Sequence, residues 1–356
     1  MKRYIRLTRT EESHEERNHM KKGYLILFAC FYLSLPAFTS AGEWRWFKGN
    51  THCHANRSDG DVHPLQVVQW YQEHDYHFIV ITDHNTLTDV SLLDQNGSAD
   101  GFILIPGIEV SDASEGKPVH LNAINIHSDL KPQTGKDKVE TLQNNIDAIR
   151  AAGAVPQINH PNWLWAFDHI EMSQLTQVPL LEIYNMSFNC NNFGAGGKPG
   201  MEEIWDNILS KGIVLYGVAA DDAHDYTGEF NSRRSNPGTC WIMVRAEELT
   251  PDSIVRALET GDFYSIVGIL LKDIRITNES YTISIDPVSQ MHYTTTFIGE
   301  NGRILKEDYS LEPSYTLKGD ELYVRTRIFA SSGEFTCTQP YFPEKKSDDR
   351  RAPRSD

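Results

Sequence analysis

Six histidines and five acidic residues fall at or just past the ends of segments with strand-like patterning. His52 and His54 lie two apart in Asn50-Thr51-His52-Cys53-His54, ahead of Ser58-Asp59-Gly60. Thr82-Asp83-His84-Asn85, Gly107-Ile108-Glu109-Val110, Val119-His120-Leu121-Asn122, Asn159-His160-Pro161 and Asp221-Asp222-Ala223-His224 follow. Imidazoles and carboxylates are the donors that divalent cations take, and their repetition at strand ends implies convergence on metal. The chemistry this predicts is metal-dependent hydrolysis. Two-residue spacing puts His52 and His54 on one face of an extended segment and Cys53 on the other, as a buried structural thiol.

Other chemistries lack their signatures. There is no Gly-x-Ser-x-Gly elbow, and neither Cys53 nor Cys190 has an evident base partner in sequence. The glycine-rich stretch 192–200 lacks the strand, helix and lysine of a phosphate loop and reads as a loop rimming a pocket. His63, His74, His77, His127, His169 and His292 fall outside the pattern and read as ordinary surface or core residues.

The elements that must position these groups alternate. Strand-like apolar runs at 47–52, 78–82, 102–105, 120–126, 155–159, 180–184 and 213–219 read as buried parallel strands. Helical faces lie between them at 64–74, 139–152 and 201–211, and a further helix at 252–259 follows Pro251. Seven strands alternating with helices predict an α/β barrel whose C-terminal strand ends carry the catalytic groups. After Gly261 the texture turns to alternating strands with Asn-Gly and Ser-Gly turns, which predicts a small antiparallel β module. The expected organisation is a leader over 1–41, a catalytic domain over 42–262, the β module over 263–342 and a disordered charged tail over 343–356.

At the segments HCHANRSDG, ITDHN, GIEVS, VHLNAINI, INHPNW, EIYN and AADDAH, the chain resembles the polymerase and histidinol phosphatase (PHP) domain family over approximately 47–268. The set carries the resemblance, since His-x-His or Thr-Asp-His alone would be weak. Val119 to Ile126, the Asp-Asp-Ala-His ending and the trailing β strands look most like its carbaryl-hydrolase-like branch. The resemblance implies a distorted seven-stranded (β/α) barrel holding two to three divalent ions, zinc, manganese or iron. It implies one ion on His52, His54, Glu109 and Asp222, and a second on Asp59, His84 and His224. A third would sit on Glu109, His120 and His160, with Glu109 bridging. The Asp-x-His spacing favours Asp222 over Asp221. Asp83 is expected to orient His84 or its loop, and Glu182 to line the pocket or support a ligand.

A metal-bound hydroxide is then the expected nucleophile, with Asp222 and His224 as catalytic partners. Asn162, Trp163, Arg233 and Arg234 are the expected substrate contacts, the arginines toward an anionic group. The expected substrate is a small-molecule ester, phosphoric first, with a carboxylic or carbamate ester as the alternative on the same site. A non-catalytic metal-binding protein is the reading from another class.

A net charge of −16 argues against a nucleic-acid partner. Met20-Lys21-Lys22, an apolar run from Tyr24 to Ala37 and Thr39-Ser40-Ala41 read as a signal peptide starting at Met20. This predicts a secreted or periplasmic protein with no stable membrane span after cleavage. Cleavage leaves four cysteines, too few for a disulfide scaffold, with Cys190–Cys240 the one pairing considered.

Overall fold

The computed structural model describes residues 44–93 and 101–344. The leader and the tail from residue 345 onward lie outside the described residues. The first half of the chain builds β1 (Arg45–Cys53), α1 (Pro64–Glu73), β2 (Phe78–Ile81), β3 (Ile103–Ser114), β4 (Lys117–Ile124), α2 (Lys138–Ala151) and β5 (Val155–Ile158). Next come α3 (His169–Met172), β6 (Leu180–Asn185), α4 (Met201–Leu209), β7 (Tyr216–Ala220), β8 (Trp241–Ala246), α5 (Pro251–Thr260) and β9 (Phe263–Val267). The rest is all strand: β10 (Leu271–Ile276), β11 (Ser280–Ile285), β12 (Tyr293–Gly299), β13 (Arg303–Asp308), β14 (Ser314–Thr316), β15 (Arg325–Ala330) and β16 (Phe335–Thr338).

β1 to β7 are neighbours in sequence order within one large sheet. Every residue of β2 and β5 is buried, which is why these runs read as unbroken apolar segments. The carboxyl end of β7 returns to β1: the Asp222 amide donates to His52 O at 3.0 Å, and the His54 amide to Ala223 O at 2.9 Å. The helices start where the sequence marks them. His63 and Gln66 form a capping box before Pro64, and Thr250 accepts from the Ser253 amide before Pro251.

One expectation fails at β4. The 120–126 run was expected to be parallel, but β4 is antiparallel to both β3 and β5. Glu115 and Gly116 take φ of 52° and 71°, a two-residue hairpin turn in place of a helical crossover. Burial on both faces hides strand direction from the hydrophobic pattern. β3 is also longer than expected: it pairs with β2 only as far as Pro106 and continues as one arm of the hairpin. Gly107 allows the close approach there, since a Cβ would sit 2.4 Å from Val80 Cγ1.

The later strands do not form a separate sheet throughout. β9, β16, β15, β12 and β13 continue the large sheet beyond β8, while β10, β11 and β14 make a small antiparallel sheet. A shared core holds Tyr264, Ile266, Tyr281, Phe297, Tyr315 and Ile328. On the other side, the buried Arg325 guanidinium pairs with Asp206 of α4 through two contacts of 2.7 Å. Tyr323 donates to the same carboxylate at 2.8 Å, and the guanidinium lies 4.8 Å from the Trp205 ring centroid. Among the described residues, no helix is long and apolar enough to cross a membrane.

Candidate metal centre

His52 near the end of β1 and His54 just past it turn both rings inward, fully buried, while Cys53 packs away from them with its thiol donating to Val80 O. Their Nε2 atoms lie 3.1 Å apart, and Asp222 Oδ1 is 3.0 Å from the first and 3.1 Å from the second. Asp222 reaches this position with φ of 47°, a left-handed backbone that tilts it inward just past β7. Asp221 turns the other way, accepting from the Tyr71 hydroxyl and the amides of Gly238, Thr239 and Cys240.

Glu109 is the hub. Its Oε1 accepts from Asn159 Nδ2 at 2.9 Å and lies 3.1 Å from His120 Nδ1 and 3.2 Å from His160 Nε2. Its Oε2 is buried and receives no hydrogen bond of good geometry, although His84 Nδ1 is 2.8 Å away. Glu109 is mid-strand in β3, not past its end as expected, but it follows the point where β2 leaves off. His120 belongs to an antiparallel strand, so the N-terminal half of β4 is what reaches the mouth.

The third carboxylate comes from a loop. Asp59 lies 3.3 Å from His84 Nε2, 3.4 Å from His224 Nε2 and 3.5 Å from His54 Nδ1. Asp83 holds that loop, accepting from the amides of Ala55 and Ser58 and from the Ser58 and Thr88 hydroxyls. Asp61 clasps it to the far loop, accepting from the Tyr226 and Thr227 amides, and Arg234 pairs with Asp225 at 2.8 Å beside it.

All nine expected ligands therefore converge. Four overlapping groups of donor atoms form: His54 with Asp59, His84 and His224; His52 with His54 and Asp222; His52 with Glu109 and His160; and His84 with Glu109 and His120. Shared His52, His54, His84 and Glu109 join the groups into one cluster. Imidazole nitrogens facing one another beside an unsatisfied buried carboxylate oxygen fit divalent cations, which would displace their protons. The outer contacts fit as well. His52 Nδ1 donates to Glu182 Oε1 at 2.6 Å, and His224 Nδ1 to Asp222 O at 2.7 Å, leaving each Nε2 free to ligate. Ser111 does the same for His84, whose Nδ1 is 2.5 Å from its hydroxyl.

The electrostatics follow from this packing. Burial opposes charge on Glu109 and Asp222, but the surrounding imidazoles prevail and hold both carboxyls well below their usual range. Burial would lower His84 and His224, yet their carboxylate partners win and lift them to about 10 and about 9. His54 is lowered, by burial first and then by the charge of His224. Burial pushes Asp221 up to about 6 against three backbone amides.

A cavity of about 290 Å³ opens onto the cluster. Trp163 lines it, with its ring 5.4 Å and 5.5 Å from the His120 and His160 rings. The other three residues expected at the substrate lie elsewhere. Asn162 is buried and donates to Asn191 O and Pro199 O. Arg234 is committed to Asp225, and neither it nor the exposed Arg233 lines the cavity. Ser187, Phe188, Asn189, Cys190 and Ser235 line it unforeseen, since nothing in their spacing marks them. Cys190 and Cys240 are both free thiols, so the pairing considered is not made.

No known protein family description matches the chain. It is 28% identical over 78 residues to a 5'-3' exoribonuclease of Haemophilus influenzae, a stretch covering 22% of this chain and only 28% of that enzyme. Among solved structures it is similar to a two-domain protein containing a predicted PHP-like metal-dependent phosphoesterase from Bacteroides vulgatus. That likeness has 18% identity and a TM-score of 0.47, over 80% of this chain and 90% of the other. An amidohydrolase from Chromobacterium violaceum is similar at 13% identity and a TM-score of 0.37, over 53% and 93%. The functional reading accordingly rests on the residues of this chain.

Proposed function

We propose that this chain is an exported PHP-type metal-dependent hydrolase that cleaves small phosphate esters at a di- or trinuclear centre. The convergence of six imidazoles and three carboxylates around the unsatisfied Glu109 Oε2 carries this reading. The sequential ring β1 to β7, rejoined at Asp222 and Ala223, supports a distorted seven-stranded barrel as its frame. Zinc, manganese or iron would suit the mixed donors, one ion on His52, His54, Glu109 and Asp222, one on Asp59, His84 and His224, and one on Glu109, His120 and His160. Bound ions would supply an activated water and polarise the attacked ester.

The chain's own groups do the rest. Asp222 orients His52 and His54 from its inward-tilted backbone. His224 is partly exposed at the mouth, with Nε2 facing Asp59, and would hold an ion there rather than carry a proton. Glu182 keeps His52 in one tautomer. Export rests on the leader sequence alone.

A second reading, hydrolysis of carboxylic or carbamate esters, is favoured by one observation: among the described residues, no lysine or arginine lines the cavity. Metal analysis of the full chain, paired with p-nitrophenyl phosphate and naphthyl ester hydrolysis, tests both. Two to three ions with phosphoester turnover supports the first, and naphthyl ester turnover alone supports the second. Bound metal without turnover of either substrate would leave a metal-binding protein.

A further inference from the structure

The cavity over the centre has a polarity of its own. Its floor is ionic, but its side walls come from Trp163, Phe188, Cys190 and small polar residues. Arg234, next in sequence to the lining residue Ser235, is turned aside: it faces Asp225, with Asp61 3.8 Å away. A second anionic group on a substrate would meet Asp59 or apolar wall, and among the described residues no lysine or arginine lines the cavity to neutralise it.

Trp163 is also held in place. His160, Leu164 and Trp165 adopt φ of 28°, 53° and 54°, three left-handed backbones within six residues. Such conformations persist only where the surroundings impose them. Asn162 and Asn191 exchange side-chain to backbone bonds in both directions, and Lys117 Nζ donates to Leu164 O at 2.6 Å. The loop gripped by Asn162 follows directly on Phe188 and Cys190, so one set of bonds fixes both walls. A flat apolar surface fixed before binding loses little entropy when a flat ligand lies on it.

We propose that Trp163 is the specificity-determining surface for the leaving group, and that this group is planar, apolar and uncharged, an aryl-type alcohol. The inference rests on the hydrolase reading and narrows its substrate. Binding of phenylphosphonate, methylphosphonate and 3-phosphonopropionate to the metal-loaded full chain tests it by calorimetry. Phenylphosphonate should bind about tenfold tighter than methylphosphonate, and 3-phosphonopropionate no tighter than methylphosphonate. Trp163→Ala should bring the phenyl-to-methyl ratio near one, and Trp163→Phe should restore most of the ratio. Equal binding of phenyl and methyl probes by the parent chain, or a ratio that survives in Trp163→Ala, overturns the proposal. Tightest binding by the doubly anionic probe overturns it too. Failure of all three phosphonates to bind defeats the phosphoester reading itself, and this inference with it.

Discussion

Glu182 Oε1 sits 2.6 Å from His52 Nδ1, on the side of the imidazole facing away from the cluster, and Glu182 Oε2 accepts the His160 amide at 2.9 Å. One carboxylate therefore sets the tautomer of one expected ligand and the backbone of another. Glu182→Gln can still accept at one oxygen but loses the charge that fixes the His52 proton. Metal affinity in a chelator competition should fall about 10- to 100-fold, with the secondary structure intact. Unchanged affinity would remove Glu182 from the centre.

The raised pKa values of His84 and His224 make a prediction about pH. An unfolded histidine titrates near 6.5, while the folded values are about 10 and about 9. The ion pairs with Asp59, Glu109 and Asp222 are thus fully present below about pH 6.5 and are lost as pH rises through 9 to 10. The melting temperature of metal-free protein should fall from pH 7 to pH 10, and this slope should shrink in His84→Gln. Metal binding at pH 7 should release protons, visible as a buffer-dependent calorimetric heat. A flat metal-free profile would contradict the charged pairs.

The Asp61 clasp singles out one pole of the cluster. Asp59 is the most exposed of the three carboxylates and sits on a loop, whereas His52, His54 and Asp222 stand at strand ends in the core. Asp61→Ala should loosen the Asp59–His224 approach and lower occupancy by one ion per chain, leaving the buried pole loaded. Elemental analysis after dialysis reads this directly. Loss of all metal together would mean that the pole is not separable.

Arg325→Met tests the junction between α4 and the later strands. It leaves Asp206 buried without its bidentate partner, a truncation costing about 3–5 kcal/mol. Denaturant unfolding should show that loss, while metal stoichiometry at low denaturant stays the same. An unaffected midpoint would mean that Tyr323 and water suffice for Asp206.

Much of the site was legible because its side chains are chemically rare where they stand. His52, His54 and Asp222 sit at strand termini that apolar runs mark clearly, and spacing alone distinguished Asp222 from Asp221. Strand direction was not legible: β4 is buried on both faces, and only Glu115-Gly116 hints at a hairpin. The four-residue α3 carried a readable capping box, Asp168 with Glu171, but was too short to show a period. The cavity walls were opaque for another reason. Ser187, Phe188 and Ser235 are brought together by loop paths fixed through Asn162, Asn191 and Asp225, and such paths leave no periodic trace. Arg234 misled because its carboxylate partners, Asp225 and Asp61, lie within the same fold and take its charge, and Arg233 stays exposed away from the cavity.

The hydrogen-bonded seam between β8 and β9 bears on how this chain tolerates being cut. Ile242 to Ala246 pair with β1 on one edge, and Trp241 to Val244 pair with Phe263 to Ile266 on the other. A polypeptide ending near residue 262, by proteolysis or premature termination, would keep every expected metal ligand yet leave β8 an open edge strand carrying Ile242 and Val244. Open edges of that kind recruit other chains. Such a fragment should accumulate in inclusion bodies rather than as a smaller working enzyme.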